Sequence, residues 1–245
     1  MIKESLRYFR IKFFKYLFKS QEEFKITNKS CLIIAPHPDD EIFGCGGLIL
    51  KKLKLNSQVY ILYLTNGEKS LKNFDKTDII INRKRAINCI TNKLRFKKEN
   101  IFFYNLSDGN IPRKNDKEFN NAIKNLKKLI ESLQIKEIYV PYFLEGWSDH
   151  IAAYEMGKEL KKLNKDLDLF FYWVWSLYYL NFKSLKKIEW NSVNILNIER
   201  TLKYKKELIE CYLNIKTSNG LPYVGDLPKN FLRIFNFCFE IYIKG

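Results

Sequence analysis

Histidine is nearly missing: His37 and His150 are the only two in 245 residues. Any chemistry that needs an imidazole must use one or both of them. Cysteine is sparse and unpatterned. Cys31, Cys45, Cys89, Cys211 and Cys238 form no CxxC pair, and several sit in apolar segments, which argues against a disulfide framework and for a reducing cytoplasm. No stretch approaches the ~18 uncharged apolar residues of a membrane span. The first residues lack a clean apolar core followed by a small-residue cleavage site, so no secretory signal is expected. Acidic side chains are short of balance, 27 against 43 basic ones, for a net charge of +16. That excess favours anionic partners, although lysines spread this widely also make an ordinary solvated surface. No internal repeat and no long low-complexity segment is present.

What remains is 46% apolar and 16% aromatic, enough to bury one substantial core. From about residue 30 to 180, strand-like and helix-like segments alternate. Strands are expected at 31–36, 58–65, 101–106, 137–142 and 169–177, with helices at 44–55, 77–94, 118–133 and 150–163 between them. Near-continuous apolar strands separated by helices predict an α/β fold: a Rossmann-like, doubly wound sandwich whose mostly parallel sheet carries helices on both faces. Ligands of such a sheet belong at the carboxyl ends of its strands. The polar clusters fall there: HPDDE after the first strand, TNGE (65–68) after the second, SDG (107–109) after the third and EGWSDH (145–150) after the fourth.

In APHPDDEIFGCG (35–46), three carboxylates and an imidazole crowd the end of an apolar run. In water such crowding is tolerable; beside a buried strand it calls for a cation. The stretch is therefore either solvated decoration or a metal site. His37 and Asp40, three apart around a turn, can reach one ion, and His150 at another strand end can complete a facial set. Asp39 between them points elsewhere, placed to accept a proton from an activated water.

This stretch resembles the signature of the PIG-L/LmbE-like family of metal-dependent de-N-acetylases, together with Thr65-Asn66-Gly67-Glu68, Arg83, Ser107-Asp108-Gly109 and Asp149-His150, over roughly residues 30 to 160. The resemblance implies zinc or another divalent metal on His37, Asp40 and His150, with Asp39 as general base. It implies substrate contacts at Glu68, Arg83 and Asp108, and support of the catalytic groups by Asp149. The family usually carries HxDH after the fourth strand, where this chain has Trp147-Ser148-Asp149-His150. The lost histidine is an oxyanion donor, and Tyr142, Trp147 or a backbone amide is expected to replace it. The implied reaction is hydrolysis of the acetamide of an N-acetylated sugar, linked to a nucleotide, lipid or glycan, to acetate and an amino sugar. The alternatives are an amidase acting on a larger conjugate and a catalytically impaired sugar-binding member.

Residues 1–25 read as a basic amphipathic helix, 26–217 as the de-N-acetylase domain, and 218–245 as a C-terminal loop and aromatic-rich tail. The first nineteen residues hold six bases and one acid, with Ile2, Leu6, Phe9, Phe13 and Leu17 on one helical face. Such a helix suits peripheral contact with an anionic membrane at its cytoplasmic face, or packing on the domain. No nucleic-acid-binding module is recognised, so no specific nucleic acid is expected.

Overall fold

The alternating segments close into one sheet of eight strands. The computed structural model describes residues 2–245; Met1 and the side chains of Ile2 and Lys3, including the part of the apolar face assigned to Ile2, lie outside what is described. In chain order the elements are α1 (Ile2–Lys19), β1 (Glu22–Glu23), β2 (Cys31–Ala35), α2 (Asp40–Lys54), β3 (Val59–Thr65), α3 (Lys76–Leu94), β4 (Ile101–Leu106), α4 (Lys117–Ser132) and β5 (Glu137–Pro141). They continue with α5 (Ser148–Leu163), β6 (Asp168–Tyr172), α6 (Ser176–Tyr179), β7 (Val193–Asn197), α7 (Leu202–Leu213), α8 (Lys229–Ile234) and β8 (Phe239–Lys244).

The strand order is β1-β7-β8-β6-β5-β2-β3-β4. From β6 to β4 every pairing is parallel. β2 lies between β5 and β3, so the chain winds outward in both directions from it, and the crevice beyond its carboxyl end is the switch point of the sheet. All five residues of β2 are buried, as a strand covered on both faces requires. The helices obey the 3.6-residue period; α4 buries Phe119, Ala122, Ile123, Leu126 and Ile130 and leaves its lysines outside.

Three expectations are corrected. The C-terminal tail is part of the sheet: β8 pairs antiparallel with both β6 and β7. Its Glu240 accepts the N–H groups of Gly47 (2.7 Å) and Leu48 (2.9 Å) in α2 and pairs with Lys205 of α7 at 2.6 Å. A buried carboxylate with three such partners fixes the segment in the core. Second, Cys89 of α3 and Cys211 of α7 form a disulfide, leaving Cys31, Cys45 and Cys238 free. Cysteine usage therefore no longer argues for a reducing compartment. Third, α1 packs on the domain through Ile11, Phe14 and Phe18, all buried, and not through the 6, 9, 13 stripe. Among the described residues, no helix is long and apolar enough to cross a membrane.

Gly44 shows how tightly α2 meets the sheet. A Cβ there would lie 2.3 Å from Cδ2 of the buried Tyr172, whose hydroxyl donates to the Ile34 carbonyl at 3.0 Å. Gly44→Ala forces that ring to move. We expect a loss of about 1–3 kcal/mol in unfolding free energy, the usual cost of overpacking, measured by denaturant titration.

Candidate metal and active site

The loop from Pro36 to Asp39 leaves β2 and is tied at each step. Thr65 donates to the Pro36 carbonyl through its N–H (3.0 Å) and its hydroxyl (2.9 Å). The His37 N–H reaches Asp40 Oδ2 at 3.0 Å, and Arg83 Nη1 holds the Pro38 carbonyl at 2.7 Å. Asp39 has φ 137°, a conformation that side-chain-bearing residues avoid. Its N–H donates to Glu41 Oε2 at 2.9 Å, and Glu41 Oε1 accepts the Tyr212 hydroxyl at 2.6 Å. Burial pushes the Glu41 carboxyl up to about 7, with Tyr212 and the backbone donors opposing it. The surroundings thus over-determine the strained residue, as they do where backbone strain serves a site.

The structure brings His37, Asp40 and His150 together: one ligand atom from each lies within 4.8 Å of the others. Asp40 Oδ2 is 3.3 Å from His37 Nδ1 and 3.3 Å from His150 Nε2. Asp40 and His150 are almost wholly buried and His37 opens to the cleft. The second ring nitrogen of each histidine faces further carboxylates. His37 Nε2 is hydrogen-bonded to Asp149 Oδ2 at 3.2 Å and lies 3.2 Å from Asp108, while His150 Nδ1 lies 3.3 Å from Glu145 without hydrogen-bond geometry. Two imidazoles and one carboxylate with a side open to the cleft are the donor set of a catalytic divalent metal. Carboxylates behind the imidazoles fix their orientation.

The electrostatics ask for a cation. Burial alone would depress both imidazoles, yet Asp108, Asp149 and Asp40 raise His37 well above its ordinary value, and Asp40 with Glu145 raises His150 to about 9. Burial would raise Asp40 too, but the two imidazoles hold it below the usual carboxylate range. Burial pushes Asp39 up to about 8 against the pull of Arg83, whose Nη1 is 3.9 Å from its Oδ2. A second trio, His37, Asp108 and Asp149, also converges. Its carboxylates are already engaged, however: Asp108 Oδ2 accepts the Lys69 N–H at 2.7 Å, and Asp149 Oδ2 accepts the Gly109 N–H at 2.7 Å.

Around this floor opens a cleft of about 430 Å³ lined by His37, Asp39, Asp40, Arg83, Asp108, Trp147, Asp149 and His150. Trp175 and Phe231, stacked at 3.8 Å, form an aromatic wall with Trp147. Gly67 explains part of the TNGE turn: at φ +67° it lets Arg83 Nη1 come within 2.3 Å of where a Cβ would sit.

Two expected site residues lie elsewhere. Tyr142 is a core aromatic, stacked on Trp173 at 5.6 Å with its hydroxyl 3.5 Å from the Lys187 carbonyl, and it does not line the cleft. Glu68 holds the loop instead, accepting the Asp108 N–H at 2.9 Å.

Glu145 escaped the sequence reading although it stands in the EGWSDH cluster. It is fully buried and accepts the N–H groups of Val174, Trp175 and Ser176 and the Ser176 hydroxyl. One carboxylate thereby supports His150 and anchors the aromatic wall. Glu145→Gln keeps the shape and turns an NH₂ towards backbone donors. We expect metal affinity to fall ~10–100-fold, read by competition with a chelating dye, while far-UV circular dichroism is unchanged.

The family model described as PIG-L, GlcNAc-PI de-N-acetylase, matches residues 32–161. No curated protein matches the chain. Among solved structures, N,N'-diacetylchitobiose deacetylase from Pyrococcus horikoshii is 19% identical over 85% of this chain and 80% of that one, with a TM-score of 0.61. The zinc-inhibited form of teicoplanin deacetylase Orf2 is 9% identical over 88% and 97%, with a TM-score of 0.65. GalB, the 4-carboxy-2-hydroxymuconate hydratase from Pseudomonas putida KT2440, is 13% identical over 88% and 95%, with a TM-score of 0.62. At these identities the likeness is one of fold.

Proposed function

The chain belongs to the PIG-L family of GlcNAc-PI de-N-acetylases, and from that premise we propose that it hydrolyses the acetamide of an N-acetylated sugar to acetate and an amino sugar. The observation that carries this reading is the convergence of His37, Asp40 and His150 on the floor of an aromatic-walled cleft, with Asp39 beside them. Fold alone would not carry it, since a hydratase shares the architecture.

His37, Asp40 and His150 would hold a divalent metal, zinc first among the candidates. Bound there, it supplies Lewis acidity towards the acetamide carbonyl and the attacking water. Asp39 takes one proton from that water as its oxygen bonds to the carbonyl carbon, then returns the proton to the nitrogen as the C–N bond breaks. Arg83 steadies Asp39 and the Pro38 carbonyl together. Asp149 and Glu145 keep the imidazoles aimed at Asp40. Trp147, half exposed at the rim, stands where the family usually has a histidine, so its indole N–H or a backbone amide would meet the oxyanion. Trp175, backed by the buried Phe231 that stacks on it, offers an apolar face to a sugar ring.

Acetate release from a panel of N-acetylated mono- and disaccharides, free and nucleotide- or lipid-linked, tests the proposal. Metal-dependent release from at least one class is expected. A zinc-loaded protein that binds such sugars and releases no acetate is a binding member instead. Release only from larger amide conjugates favours the amidase reading.

A further inference from the structure

Helix α1 is apolar on two opposite faces, and the domain covers only one. Ile11, Phe14 and Phe18 are buried against it. Leu6, Phe9, Phe13 and Tyr16 run along the other side, 64%, 67%, 48% and 80% exposed. Phe182, 60% exposed, extends the stripe from outside the helix, its ring 5.6 Å from that of Phe13. Exposed large apolar residues elsewhere, such as Ile81 and Tyr204, stand apart in sequence on other helices. Scattered single residues are ordinary; a contiguous aromatic stripe is not.

Cations predominate around the stripe, although Glu22, Glu23 and Glu189 are exposed further along the chain. Lys12 and Lys19 are exposed beside it on α1, and Lys183, Lys186 and Lys187 are exposed just beyond Phe182. The acid on α1, Glu4, is engaged by Arg7 and by Asn230 Nδ2 at 2.7 Å. The helix is also firmly seated. Arg7 donates to the Tyr178 hydroxyl at 2.7 Å and Arg10 to the Tyr178 carbonyl at 2.9 Å. Its supports α6 and α8 are the helices beside the cleft's aromatic wall, for Tyr179 stacks on Trp175 and Phe231 belongs to α8.

We propose that the outer face of α1, with Phe182, docks on an anionic lipid bilayer. An exposed aromatic stripe flanked by lysines matches an interface whose headgroups are negative and whose depth takes rings. The docking is independent of the hydrolytic reading, because it is measured without turnover. It holds the cleft's aromatic wall close to lipid.

The test is flotation of the full chain with vesicles of phosphatidylcholine alone and of phosphatidylcholine mixed with phosphatidylglycerol. The protein should float with the anionic vesicles, stay behind with the neutral ones, and release in high salt. Phe9→Glu with Phe13→Glu should weaken partition at least about tenfold, given the area two phenyl rings bury. Lys12→Glu with Lys19→Glu, which removes no buried side chain and breaks only the surface contact of Lys12 with the Tyr8 ring, should do likewise through charge. Tyr204→Glu, on another surface, should float as the native chain does. Absence of flotation, equal flotation with neutral vesicles, or flotation of both double variants at the native level overturns the proposal. So does a native dimer in sedimentation velocity that the Phe9/Phe13 variant dissociates, since the stripe would then serve a second copy of the chain.

Discussion

His150→Ala is expected to lose the metal while Asp108→Asn keeps it. The two substitutions separate the trios that share His37. If the ion sits on His37, Asp40 and His150, removing a buried nitrogen donor takes away a third of the protein ligands, whereas Asp108 stands behind His37 and holds the Lys69 N–H. Elemental analysis after mild dialysis should find about one equivalent per chain in the native protein and in Asp108→Asn, and far less in His150→Ala. Melting gives a second readout. A ligand at ~100 times its Kd stabilises the native state by ~2.7 kcal/mol, so added zinc should raise the melting point of the native protein and leave His150→Ala unmoved. The opposite pattern, with metal lost from Asp108→Asn and kept by His150→Ala, would move the ion to the second trio.

The sequence carried the sheet and the floor of the site because both are written in local patterns. Apolar runs of five to seven residues alternate with helical periods, and β2 ends in carboxylates that no buried strand tolerates unpaired. Long-range pairing carried the rest, and local pattern is silent about it. β8 has the composition of a tail, and becomes an interior strand only because β6 and β7 both present edges to it. The disulfide joins positions 122 residues apart, so spacing says nothing of it. In α1 the sets 6, 9, 13 and 11, 14, 18 both keep helical period; only the partner surface decides which is covered. Tyr142 follows a strand directly, but its ring turns into the core against Trp173. Glu145, three residues on, reads as loop polarity until its three backbone donors are seen.

Asp39→Asn is expected to lower turnover by ~10²–10⁴, the contribution of a positioned general base, while leaving the metal in place. The amide is isosteric, and the tie from the Asp39 N–H to Glu41 is made by backbone, so the strained turn should persist. The unfolding free energy should be equal or higher, because burial disfavours the charged carboxylate that the substitution removes. A variant more stable and far slower than the native enzyme is the signature of a residue kept for chemistry against the interest of the fold. Three measurements on one preparation decide it: acetate release, metal content and denaturant midpoint. Full turnover in Asp39→Asn would pass the role of base to another group on the cleft floor. Loss of metal together with turnover would make Asp39 a ligand. Only slow turnover with metal and fold intact leaves it as the residue that carries the proton from water to the leaving amine.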